Sequence, residues 1–157
     1  MKERTYCFSG HRIISIDKYP KIKKHLKKEL AKLINQGIQY FGCGGALGFD
    51  TLAALTVISL RKKYPQIKLI MVLPCKEQAR SWKEKDIKIY NQIRDEADKV
   101  VYTSEYYHNG CMHKRNRHLV DNNSICVCYL TNLNGGTAYT VDYARQHGLQ
   151  IVNLSQH

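Results

Sequence analysis

No run of about 18 apolar residues occurs in this sequence, so no membrane-spanning helix is expected. The first apolar segment, just after Met1-Lys2-Glu3-Arg4-Thr5, is only a few residues long. That is too short for the hydrophobic core of a signal peptide, and a cytoplasmic protein is expected. Six cysteines are present (Cys7, Cys43, Cys75, Cys111, Cys126 and Cys128), yet no CxxC pair and no Cys/His set at zinc-finger spacing occurs. His113 and His118 stand five apart with no second ligand pair. No metal is expected, and the cysteines read as reduced, buried, small hydrophobes. Acidic residues are scarce: 13 Asp and Glu against 25 Lys and Arg leave a formal charge of +12. That excess suggests polyanionic partners, although a lysine-rich soluble surface explains it equally well.

What is present is ordinary for a globular domain. The chain has 157 residues, 43% hydrophobic and 24% charged, enough for one domain spanning residues 1–157 with a core that needs no disulfide or metal staple. Linkers, internal repeats and low-complexity stretches are absent. Apolar runs alternate with helical periodicity along the whole chain. Strands are expected at 6–10, 38–43, 67–73, 99–102, 124–130 and 151–154. Ile22, Leu26, Leu30, Leu33 and Ile34 mark a first helix closed by Gly37, with Lys21, Lys23, Lys24, Lys27, Lys28 and Lys32 on its solvated face. Further helices are expected at 51–64, through Trp82, Ile89, Tyr90 and Ile93, at 112–121, and at 138–146. This alternation predicts an α/β fold: a Rossmann-like, doubly wound, mostly parallel sheet of about six strands with helices on both faces. Ligands of such sheets lie beyond the carboxyl ends of the strands.

The unusual loops fall at those ends. Ser9-Gly10-His11-Arg12 offers a sharp turn, a hydroxyl and two anion donors. Gly44-Gly45-Ala46-Leu47-Gly48-Phe49-Asp50 opens a helix, and its glycines are read as letting the backbone approach an anion. It lacks the Gly-Lys-Ser/Thr of a Walker A loop and is not a clean GxGxxG. Asp50 is either a ribose ligand or the helix N-cap. Met112-His113-Lys114-Arg115-Asn116-Arg117 gathers cations near a helix start. Arg115 suits a phosphate clamp, and a plain surface helix is the alternative. Asn134-Gly135-Gly136-Thr137 is a second cradle, or a loop in which Thr137 is the N-cap.

Taken in order, these motifs, with Phe8 before the first, Val120-Asp121 after the third and Tyr143-Ala144 after the fourth, resemble the YpsA-like branch of the SLOG superfamily. The resemblance runs from about residue 5 to about residue 152, and the segment 74–93 shares it. It implies a Rossmann-like fold and a nucleotide-derived ligand. Relatives in the wider superfamily include cytokinin-activating phosphoribohydrolases, DNA-processing proteins that load recombinase on single strands, and defence sensors of NAD-derived signals. Met112-His113-Lys114-Arg115 resembles the hydrolases' Met-His-x-Arg segment. Their Pro-Gly-Gly-x-Gly-Thr-x-x-Glu motif is matched only in part: Asn134 stands for Pro, Ala138 and Tyr139 for the second Gly-Thr, and Asp142 for Glu.

Three functions follow as expectations. The leading one is a non-catalytic binder that senses or sequesters a phosphate-bearing, nucleotide-derived molecule related to NAD or ADP-ribose. Its site would comprise Ser9, Gly10, His11, Arg12, Gly44, Gly45, Gly48, Asp50, Arg115, Asn116, Gly135, Gly136 and Thr137, with Trp82 or a tyrosine of 102–107 stacking on the base. The second is an N-glycosidic hydrolase with Asp50 or Asp142 as the carboxylate, Asp121 being a weaker candidate. The third is single-stranded nucleic-acid binding. No cofactor beyond the nucleotide-like ligand is expected. A homodimer or higher homo-oligomer is a further expected partner state, and no membrane partner is expected.

Overall fold

Strand and helix segments assemble, in a computed structural model that describes residues 5–156, into a six-stranded parallel sheet. The elements are β1 (Thr5–Gly10), α1 (Tyr19–Asn35), β2 (Tyr40–Cys43), α2 (Phe49–Leu60), β3 (Lys68–Leu73), α3 (Glu84–Glu96), β4 (Lys99–Tyr102), α4 (Cys111–Asp121), β5 (Ile125–Tyr129), α5 (Gly136–Gln146) and β6 (Gln150–Asn153). Strand order is β4-β3-β2-β1-β5-β6, and every pairing is parallel. This is the Rossmann-like α/β fold that the alternating pattern predicts.

Side-chain alternation divides the core between the two faces of the sheet. Tyr6 and Phe8 of β1, Leu69, Met71 and Leu73 of β3, and Val127 of β5 pack with the apolar stripes of α1, α2 and α3. Cys7, Val72, Cys126 and Cys128 point the other way, onto Leu119 and Val120 of α4 and Val141 and Ala144 of α5. Rings of Tyr6, Phe8 and Phe41 meet at centroid distances of 4.7 to 6.4 Å and fill the centre of the first layer. Helix α2 is buried on most sides, which is why its sequence is apolar nearly all round.

Strands β1 and β5 are neighbours, with Cys7 beside Cys126 and Gly10 beside Tyr129. The helix after β1 lies on one face and the helix after β5 on the other. The carboxyl ends of these two strands are therefore the switch point of the sheet, where a crevice opens by construction.

Two helix starts differ from the periodicity, and in each a glycine takes the N-cap. Helix α2 begins at Phe49 behind Gly48, and α5 begins at Gly136 behind Gly135. Asp50 and Thr137 consequently lie inside their helices and are not caps. Trp82 lies in the turn before α3, which starts at Glu84, where Glu84 and Asp86 complement the helix dipole. Its ring still packs on the helix, edge-on to Tyr90 at 5.3 Å. No helix of the described residues is long and apolar enough to cross a membrane.

All six cysteines are free and buried, five on strands or just beyond and one at the start of α4, with none in a disulfide. A thiol titration of the denatured, unreduced protein should count six. The native protein should react far more slowly. A count below six would reveal a disulfide.

Candidate functional site

The crevice at the switch point has a volume of about 150 Å³ and is walled by the ends of β1, the loops after β2 and β3, and the first turns of α4 and α5. Of the residues singled out in the sequence, Ser9, Gly10, Arg12, Asp50, Arg115, Asn116, Gly136 and Thr137 line it. His11, Gly44, Gly45, Gly48 and Gly135 do not. They shape the surrounding loops.

Arg115 is the centre of the arrangement. It lies on the first turns of α4, yet it is only 4% exposed, so it is no surface cation. Its Nη1 donates to the Gly44 carbonyl, its Nε donates to Asn116 Oδ1 at 2.6 Å, and its Nη2 lies 3.9 Å from Met112 Sδ. A Cβ on Gly44 would stand 2.8 Å from Nη1 and 2.9 Å from Cζ. Gly44 is thus required because a guanidinium lies flat against its backbone. Burial lowers the Arg115 pKa, and the Asp50 charge opposes that shift.

Asp50 lies in the first turn of α2 and is 7% exposed. Its Oδ2 accepts from the Ala46 N–H at 3.2 Å. The loop that resembles an anion cradle is therefore occupied by the chain's own carboxylate. Burial raises the Asp50 pKa to about 6, against the opposing pull of Arg115, the Ala46 N–H and Arg12. Cys43, beneath the same loop, donates its thiol to the Asp50 carbonyl and is held neutral, its pKa raised by burial first and by the Asp50 charge second.

The glycines of residues 44–50 are closely packed by neighbours in the protein. A Cβ on Gly45 would stand 2.5 Å from Leu73 Cδ2. Gly48, at φ +79°, would place one 2.3 Å from the Arg12 carbonyl oxygen. Of this loop, Ala46 and Asp50 line the crevice, and Gly44, Gly45 and Gly48 stand behind them. Gly135 and Gly136 are the opposite case: a Cβ on either meets nothing within 4 Å. Open space lies over the start of α5, whose first N–H groups have no partners within the helix.

His11 serves the loops. Its Nε2 accepts from the Thr131 N–H at 2.9 Å, and its carbonyl accepts from the Phe49 N–H at 3.1 Å. Burial lowers its pKa, in keeping with a neutral ring that accepts at Nε2. Arg12 is exposed at the rim of the crevice and forms no ion pair among the described residues.

Other expected members lie elsewhere. Asp142 is exposed, pairs with Arg145 at 3.3 Å and faces a separate hollow beside residues 130–133. Asp121 accepts from the Tyr143 hydroxyl at 2.8 Å on the outer surface. Trp82 does not line the crevice, and Tyr102 and Tyr106 line another hollow with Lys76. Asp50 is left as the one carboxylate on the crevice wall. Gln78 was not singled out in the sequence. It is 7% exposed on the crevice wall, with Nε2 3.5 Å from the Gly44 carbonyl and Oε1 3.5 Å from the Tyr90 hydroxyl. Nothing in the local sequence pattern reveals its burial, so no signal there could have found it. Among the described residues no cluster of His, Cys, Asp or Glu is gathered to hold a metal.

Comparisons with known proteins agree with this architecture. Residues 13–154 match the YpsA family model, described as the YspA SLOG family. The chain is 30% identical over 139 residues to the SPbeta prophage-derived protein YoqJ of Bacillus subtilis, covering 80% of this chain and 81% of that protein. It is 33% identical over 103 residues to a UPF0398 protein of Brevibacillus brevis, covering 64% of this chain and 55% of that relative's length. Among solved structures it superimposes on DNA processing protein A from Helicobacter pylori, a single-stranded DNA binder, with TM-score 0.67 and 18% identity, over 96% of this chain and 64% of that one. DNA processing protein A from Streptococcus pneumoniae gives 0.66 and 15%, over 96% and 50%. At these identities the likeness is one of fold.

The Asp50 shift has a definite pH signature. A carboxyl whose folded pKa of about 6 exceeds its ordinary value of 3.8 contributes stability below that ordinary value and loses it as pH rises through 6. Between pH 4 and 7 the stability of the wild type should fall, relative to Asp50→Asn, by on the order of 2–3 kcal/mol. Denaturant titrations across that range measure it, and parallel curves for the two proteins would contradict the shift. Arg115→Ala should cost about 3 kcal/mol or more at pH 7, since it removes a buried charge and its bonds. A surface arginine would cost under about 0.5 kcal/mol.

Proposed function

The chain belongs to the YspA SLOG family, and from that premise we propose that its crevice binds a nucleotide-derived small molecule through its phosphate. The observation that carries this reading is the open start of α5. Gly136 and Thr137 line the crevice with free space over the glycine, and the exposed Arg12 guanidinium stands on the same rim. Helix N–H groups and a cation facing one pocket favour an anion. Asp50, Asn116, Ser9 and Gln78 line the remaining wall with acceptors and donors suited to sugar hydroxyls. A volume of about 150 Å³ is small beside a typical ligand pocket of several hundred. It suits the phosphate and sugar, with the rest of the ligand projecting outward.

Arg115 has a different part from the one its motif suggests. Three of its five N–H donors point at Gly44, Asn116 and Met112, so on this reading its main part is to shape the pocket and supply charge to its wall. Arg12 is the cation positioned to contact the phosphate.

One observation favours a hydrolytic reading as the alternative. Asp50 is a buried carboxyl on the crevice wall with a pKa raised to about 6, a property of general acids and bases. Release of ribose 5-phosphate from nucleoside monophosphates, lost in Asp50→Asn, would establish that activity. No release with tight binding would leave the protein a binder.

Calorimetry against ribose 5-phosphate, nucleoside monophosphates and ADP-ribose tests the main proposal. Arg12→Ala should weaken binding about tenfold or more, as expected for one charge-assisted bond, without lowering the melting temperature. Lys24→Ala, on the solvated face of α1, should leave affinity nearly unchanged. Equal losses in the two variants would indicate a diffuse polyanion surface instead of a crevice.

A further inference from the structure

We infer that Tyr139, steadied by His113 and Arg117, is the stacking platform for the base of the bound nucleotide. This inference rests on the proposed phosphate site and adds to it the part of the ligand that the crevice is too small to enclose.

Tyr139 lies on α5, one turn after Gly136, and is 42% exposed. Side chains on a helix lean toward its N-terminus, so the phenol tilts toward the crevice end of α5 without covering its first turn. Gly135 and Gly136 leave that turn bare, because a Cβ on either would meet nothing within 4 Å. The floor beside the ring is therefore open toward the crevice mouth. His113 follows Met112, a crevice residue, on α4. Its ring meets that of Tyr139 at a centroid distance of 4.4 Å and an interplanar angle of 62°. Such an edge contact covers at most one face of the phenol. Arg117, one turn further along α4, donates to the Tyr139 hydroxyl at 3.4 Å.

An exposed aromatic is usually free to rotate. Here two side chains of the neighbouring helix contact the ring, one at its edge and one at its hydroxyl, and the backbone one turn before it is bare. A planar, electron-poor base is the ligand group that such a ring recognises, and stacking of this kind accepts any base. Tyr139 stands outside the crevice lining, as Trp82 and the tyrosines of the 102–107 stretch do, but it alone of these lies on the helix whose first residues, Gly136 and Thr137, line it.

The test compares two probes, AMP and ribose 5-phosphate, which share phosphate and sugar and differ in the base. Wild type should bind AMP about tenfold or more tightly than ribose 5-phosphate. Tyr139→Leu should abolish that preference while leaving ribose 5-phosphate affinity unchanged. Tyr139→Phe should preserve the preference, and His113→Ala should reduce it. Melting temperatures confirm that each variant is folded. A preference retained in Tyr139→Leu, or equal weakening of both probes, would overturn the stacking role and leave the phosphate site standing. Equal wild-type affinity for the two probes would do the same. Failure of wild type to bind either probe would remove the phosphate site and the platform together.

Discussion

A buried guanidinium is costly unless its charge and its donors are answered, and much of this crevice is arranged around meeting that condition for Arg115. Gly44 supplies a carbonyl and a bare backbone against which the group lies. Asn116 supplies a second acceptor from the adjacent position on α4. Asp50 supplies opposite charge across the wall without a direct ion pair. Gln78 approaches the same Gly44 carbonyl from the loop after β3. Loops after β2 and β3 and the start of α4 are thereby tied to one cation. Each partner in turn bears the cost of the others: the desolvation that raises Asp50 is partly offset by Arg115, and the depression of Arg115 is partly offset by Asp50.

The same logic makes the two glycine-rich loops unequal. Both follow a strand and open a helix, and both could in principle present N–H groups to an anion. In the first, Asp50 takes the Ala46 N–H of the loop and the His11 carbonyl takes the Phe49 N–H, so two of its donors are turned to partners within the chain. In the second, nothing stands over Gly135 or Gly136. Of two similar sequence signals, one is structural and the other is left available. His11 links the two by bonding to Phe49 on one side and Thr131 on the other, which keeps the crevice walls in register.

Much of the fold was legible because it depends on local periodicity. The helix stripe of Ile22, Leu26, Leu30, Leu33 and Ile34 follows from burial on one face, and the strand at 99–102 from its run of Val100, Val101 and Tyr102. The family, too, was legible from the order of its motifs. Legibility failed wherever a residue's role depended on a partner distant in sequence. Arg115 looks like a surface cation until Gly44, 71 positions away, is seen to receive it. The glycines of the first loop look like a ligand cradle until Leu73 and the Arg12 carbonyl are found where their side chains would be. Asp142 shares a helix with the crevice residues Gly136 and Thr137, but helical phase turns it to the far side, where Arg145 pairs with it.

The charge excess sits apart from this local chemistry. Arg12 and Arg115 face Asp50 in the crevice, so its walls carry only a small net charge. The bulk of the +12 lies elsewhere, including Lys21, Lys23, Lys24, Lys27, Lys28 and Lys32 of α1, all exposed. Exposed charges of that kind act at long range: they raise the local concentration of any anion, and salt screens them. Contacts inside a partly dry crevice act at short range and are screened much less. The two contributions are therefore separable in principle, one governing how fast an anion arrives and the other which anion stays. On the proposed reading, the basic surface would govern arrival, and selectivity would rest on the rim arginine and the open helix start of the crevice.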